Sequence, residues 1–147
     1  MTDHITPARI TSLARNEIFV FGSNLQGIHG AGAAKQALRW GAVLGQGEGL
    51  RGNTYAIPTK VTPWQQRSLE DIQDSVWSFL DVANGFPCLK FLVTEIGCGL
   101  AGYMPPQIAP MFMEATANVR LPQLFLDVLA GKYQSPPEKW PEAEVIP

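Results

Sequence analysis

Two short segments of this sequence place glycines where an apolar run ends, and glycine there changes what the backbone can bind. The first is Gly22-Ser23-Asn24-Leu25, continuing through Gly27, His29, Gly30, Ala31, Gly32 and Ala33; the second is Ile96-Gly97-Cys98-Gly99-Leu100-Ala101-Gly102-Tyr103. Glycine adopts positive φ at little cost and has no Cβ to hold an oxyanion away from backbone N–H groups. Two such loops in one domain point to a phosphate-bearing guest, and a diphosphate suits the pair. A helix starting near Gly32 adds free amides and the positive end of its dipole. Neither loop has the spacing that ends in Gly-Lys-Ser/Thr, and the first lacks the dinucleotide fingerprint with its acidic residue about twenty positions on, which disfavours ATP hydrolysis and hydride transfer from a nicotinamide. His29, inside the first loop, is a candidate general acid or base toward a ribose hydroxyl or a terminal phosphate. Cys98, small and set between two glycines, reads as filler rather than nucleophile.

These residues need a scaffold, and apolar patterning supplies one. Ile18-Phe19-Val20-Phe21 is a continuous β-branched and aromatic run stopped by Gly22, the pattern of a strand buried on both faces in a parallel sheet. An alanine-rich helix follows to Trp40. Gly41 to Gly52 holds five glycines and reads as a loop, mobile enough to serve as a lid carrying Glu48. Asn53–Ile57 reads as a second strand closed by Pro58, with Thr59 and Lys60 just past its carboxyl end. Leu69, Ile72, Val76, Phe79, Leu80 and Ala83 recur at helical spacing, and Asn84-Gly85 ends that helix. Leu89 to Ile96 is a third strand that empties into the second glycine loop. Helix resumes after Pro105-Pro106, where prolines in the first turn do little harm. Leu121–Leu129 reads as a last strand, with a short helix as the alternative. Residues 1–16 form a lead-in and 132–147 a proline-rich tail with a lone Trp140. The order predicts one α/β domain, a mostly parallel or mixed sheet between two helical layers, with ligands at the carboxyl ends of the strands where both loops meet.

Composition narrows the function classes. With 147 residues the chain can bury roughly 70% of its unfolded surface in a single core. A formal net charge of −2 supplies no basic field for a nucleic-acid backbone. Cys88 and Cys98 lack the close pairing of zinc sites, and no signal peptide or membrane-length apolar run is evident. The expectation is a soluble cytoplasmic monomer with free thiols, no metal and no cofactor.

Taken together, Phe19-Val20-Phe21-Gly22-Ser23-Asn24-Leu25 with Gly30-Ala31-Gly32-Ala33-Ala34 resembles the first ligand loop of macrodomains, and Ile96-Gly97-Cys98-Gly99-Leu100-Ala101-Gly102-Tyr103 is similar to that family's diphosphate loop. The likeness spans about Ile18 to Ala115. It implies a three-layer macrodomain-like fold that takes ADP-ribose or an ADP-ribosylated protein or nucleotide. By the resemblance Asn24 would bond the distal ribose, Gly30 and Gly32 would let ribose and diphosphate approach, and Gly97 to Ala101 would offer amides to the phosphates. Tyr103 would pack near the distal ribose or the adenosine. From its type alone, Asn24 has a cap on the following turn as the alternative.

The segment Tyr55-Ala56-Ile57-Pro58-Thr59-Lys60 resembles the macrodomain branch that releases ADP-ribose from acidic side chains through a lysine, which implies that Lys60 attacks the anomeric carbon. A lysine amine does so only when deprotonated, a state that partial burial favours. Ala101 stands where that branch has an assisting aspartate, so Glu48 or Glu95 would have to supply the carboxylate, or the module binds without turnover. Two alternatives to a hydrolase follow: a reader of ADP-ribose or an NAD-derived signal, and a Rossmann-like nucleotide sensor, whose strand-to-loop entry Val20-Phe21-Gly22-Ser23 also resembles but whose later Gly-Gly-Thr motif is missing.

Overall fold

The structure is a computed structural model and describes residues 4–135. Its centre is β1 (Glu17–Asn24), which pairs in parallel with β3 (Thr54–Thr62) on one side and with β5 (Lys90–Val93) on the other. Outside these, β2 (Gly49–Arg51) runs antiparallel to β3, and β6 (Val119–Arg120) runs parallel to β5, giving the order β2-β3-β1-β5-β6. A two-residue strand, β4 (Gln65–Gln66), folds back on the far end of β3.

Period-two alternation in β1 sends side chains to two different cores. Ile18 and Val20 join Tyr55, Ile57, Phe91 and Val93 on one face, beneath α2 (Leu69–Gly85), α3 (Pro105–Ile108) and α4 (Gln123–Leu129). Phe19 and Phe21 point to the other, where Ala34 and Ala37 of α1 (Gly32–Ala37) pack with Ile10, Ala42 and Leu92. The result is a three-layer α/β/α sandwich. Small alanines let α1 lie close to the sheet, and burial of both strand faces explains why β1 carries no polar alternation.

The long helix α2 begins as its residues dictate. Ser68 caps it by accepting from the Asp71 amide, and Glu70 and Asp71 place negative charge at the positive end of the dipole. Its buried face is Ile72, Val76, Phe79 and Ala83, the stripe read from spacing.

Three expectations need correction, and the lead-in takes a definite place. The segment Leu124–Leu129 is helix, not strand: Phe125 is buried against Phe112, and the pairing in that region falls to Val119–Arg120 and to a bridge between Ile5 and Leu121. The lead-in is fixed to the sheet edge, with the Thr6 amide donating to the Leu121 carbonyl at 2.9 Å. The Gly41–Gly52 segment includes β2 and is not free loop. The second strand does not stop at Pro58 but runs to Thr62, because β2 pairs β3 only up to Ala56 and the missing proline N–H leaves no ladder bond unmade there. Residues 136–147, including Trp140 and most of the expected tail, lie outside the described residues. Among the described residues no helix is long and apolar enough to cross a membrane.

Candidate functional site

The site grows out of the adjacency of β1 and β5. Because these strands are parallel neighbours, the turns at their carboxyl ends start side by side; a Cβ built on Gly22 would stand 3.6 Å from the Gly97 amide nitrogen and 3.3 Å from Thr59 Oγ1. Between the turns opens a cleft of about 440 Å3, within the range of small-molecule sites. Gly22, Ser23, Asn24, Gly30, Ala31, Gly32, Ala33, Thr59, Lys60 and Ile96 to Ala101 all line it. Thr94, Glu95, Ile28, Ala34 and Pro63 complete the wall. Ile28 and Pro63 carry no chemical signal in sequence; Thr94, at the end of β5, is legible only once the strand end is known.

The backbone of the second loop leaves several amides without a protein acceptor. Gly97 and Gly102 hold φ of 76° and 84°, which turns successive amides to one side. The Cys98 amide donates to the Glu95 carbonyl at 3.2 Å and the Tyr103 amide to the Gly97 carbonyl at 2.8 Å, closing the loop from both ends. Among the described residues the amides of Gly97, Gly99, Leu100 and Ala101 donate to no protein acceptor. Across the cleft, the amides of Gly32, Ala33 and Ala34 are the orphan donors of a helix whose first intrahelical bond comes from Lys35 to Ala31. With only six residues α1 has little dipole, so its contribution is the amides themselves.

Several side chains expected at the ligand have other work. Asn24 is 3% exposed, and its amide group forms a ring with Ile28, donating to that carbonyl at 2.8 Å and accepting from that amide at 3.0 Å. It braces the first loop, as the capping alternative has it. Ser23 donates to the Gly47 carbonyl. His29 does not line the cleft: it is buried beneath the loop, edge-on to Phe21, with Nε2 3.0 Å from the Val43 carbonyl. That contact requires the proton on Nε2, so the expected acid–base role gives way to packing. Leu25, Gly102 and Tyr103 also lie off the cleft wall. Tyr103 donates its hydroxyl to the Arg67 carbonyl and locks the second loop onto the start of α2.

The glycine-rich segment between α1 and β3 is a brace rather than a lid. The Gly45 amide donates to the Gly27 carbonyl at 2.9 Å, and a Cβ at Gly47 would overlap the carbonyl oxygens of Asn24 and Leu25. Backbone packs on backbone behind the first loop. Glu48 does not line the cleft; it stands by Tyr55, whose phenol burial, and next the Glu48 charge, push up to about 12.

Lys60 and Glu95 are the cleft's ionisable side chains besides Cys98. Lys60 lies within β3, its Nζ 3.4 Å from the Pro63 carbonyl. Ala101 presents a methyl group where an assisting carboxylate was sought, and Glu95 is the carboxylate of the wall. The Cys98 thiol is pushed up to about 11 by burial and then by the Glu95 charge, so it is protonated at neutral pH and no ready nucleophile. No family model matches the chain, and neither a curated protein nor a solved structure matches it.

Proposed function

We propose that this cleft binds ADP-ribose, free or as an ADP-ribosyl group, with the diphosphate between the two loops. The carrying observation is that unused amides from two loops far apart in sequence, those of Gly32 to Ala34 and those of Gly97 and Gly99 to Ala101, belong to residues that line one cleft. Charge-assisted bonds from fixed amides are stronger than neutral ones, and they need no basic side chain, which fits an acidic chain. An adjoining depression sharing Gly32, Ala33, Thr94 and Glu95 has Phe19, Ile5, Ile10 and Leu124 in its lining, an apolar place for a nucleobase. The polar end near Lys60 and Thr59 is left for the distal ribose. Free thiols at Cys88 and inside the cleft at Cys98 accord with a reducing, cytoplasmic setting.

Isothermal titration with ADP-ribose should give saturable heat, whereas ribose 5-phosphate, with one phosphate and no base, should bind far more weakly. Gly99→Val is the informative variant. A Cβ at Gly99 meets no atom within 4 Å and the residue is not at positive φ, so the side chain should fill ligand space without disturbing the fold. Binding should fall at least about tenfold, roughly 1.4 kcal/mol, with an unchanged melting temperature. Wild-type protein giving no heat with ADP-ribose would overturn the reading.

Hydrolysis of an ADP-ribosyl ester is the second reading, and the place of Lys60 in the cleft favours it. Its deprotonated amine would attack the anomeric carbon, the bond to the acceptor carboxylate would break with that carboxylate leaving, and water would then free the sugar from the lysine. Ala101 offers only a methyl group and Glu95 lies on the wall shared with the adenosine side, so water in the cleft would move the protons. Lys60→Ala should abolish release of ADP-ribose from a glutamate-modified protein while retaining titratable ADP-ribose binding; release at the wild-type rate would remove Lys60 from the chemistry.

A further inference from the structure

The adjoining depression, about 920 Å3, holds a feature that ADP-ribose does not use. Two arginines from separate parts of the chain line it: Arg9 in the amino-terminal segment and Arg39 just after α1. Arg39 is not adrift, since its guanidinium carbon lies 5.5 Å from the centre of the Trp40 ring, and Trp40 in turn packs on Phe19 at 4.9 Å. Among the described residues neither guanidinium forms an ion pair. The lining holds one carboxylate, Glu95, whose charge acts on the Cys98 thiol. Two cations against one anion make this depression locally positive in a chain of net charge −2.

Resting on the ADP-ribose reading, we propose that this depression selects a ligand with a third phosphate, a phosphomonoester on the adenosine ribose, held by Arg9 and Arg39. The base belongs in the apolar part of the depression and the diphosphate between the loops, so the adenosine ribose spans the shared wall of Gly32, Ala33, Thr94 and Glu95. A hydroxyl of that sugar is neutral and adds nothing to balance the two guanidiniums, which outnumber Glu95. A phosphomonoester there meets planar forks whose geometry suits its oxygens, and arginine stays charged throughout the accessible pH range. The 2′ and 3′ positions offer the same chemistry.

The test is titration of the full chain with ADP-ribose, 2′-phospho-ADP-ribose and 3′-phospho-ADP-ribose. At least one phosphorylated ligand should bind about tenfold or more tightly than ADP-ribose, and the tighter isomer identifies the position. The preference should shrink as salt rises from about 50 to about 300 mM. Arg39→Gln should bring the ratio of the two Kd values close to one, with Arg39→Lys keeping part of it; if Arg39→Gln lowers the melting temperature, Arg9→Gln reads the same ratio. Equal or weaker binding of both phosphorylated ligands, beside sound ADP-ribose binding, would overturn this inference alone. No binding of any of the three would overturn it together with the ADP-ribose reading.

Discussion

Cys98 shows how a residue's surroundings decide its chemistry. It sits in the cleft wall, half-buried, and its thiol is raised from 9.0 to about 11, first by burial and then by Glu95. At pH 8 that leaves about a hundredfold less thiolate than an unshifted thiol has, and alkylation rate follows thiolate. Iodoacetamide should therefore label exposed Cys88 first, with Cys98 reacting appreciably only as pH climbs toward about 11. Saturating ADP-ribose should slow Cys98 further while leaving Cys88 unchanged, a difference that peptide mass mapping resolves. Equal protection of both, or of neither, would separate Cys98 from the ligand. The same local logic separates what was legible from what was not. Glycine spacing declares a turn of unusual backbone geometry because the requirement is on the backbone of the residue itself. Asn24 and His29 cannot be read that way, because their partners, Ile28 and Val43, are chosen by the folded path of the chain.

At the scale of elements, β1, α2 and both glycine loops could be read from sequence because burial on two faces, a capped amphipathic stripe and punctuating glycines each leave a strong local pattern. β2 and β6, three and two residues long, leave none. Leu124–Leu129 misleads for a further reason: a short apolar run suits a buried strand or a buried helix equally, and only packing of Phe125 on Phe112 decides. The brace behind the first loop was invisible because its specificity lies in how closely two backbones approach. Gly47→Ala should consequently harm an element far larger than one residue. With nowhere for the methyl group except the Asn24 and Leu25 carbonyls, the first loop must shift; we expect roughly 1–3 kcal/mol of lost stability in urea titration, with weakened ADP-ribose binding. Gly30→Ala, where a Cβ meets nothing within 4 Å, serves as the control and should retain stability.

Across the whole molecule, the sheet separates two cores of unequal size. The larger holds a chain of aromatic contacts in which Phe79 is the hub, its ring centre 5.0 Å from that of Tyr55, 5.5 Å from Phe91 and 6.2 Å from Phe112. Phe79→Ala should cost about 3–5 kcal/mol by chemical denaturation, a loss typical of a buried phenylalanine that links several layers, and Phe79→Leu distinctly less. A loss under about 1 kcal/mol would mean that α2 is not the keystone of that core. The smaller core, under alanine-rich α1, carries the amino-terminal segment and thereby one wall of the arginine-lined depression.

The clasp that Gly27, Gly45 and Gly47 form behind the first loop bears on timing as well as shape. On the proposed reading, a guest arriving at the cleft would find donors already aimed and would not wait for a segment to order itself. Arrival should then be governed by diffusion and orientation and be similar for related guests, and it is the dwell time of each that should tell one nucleotide from another.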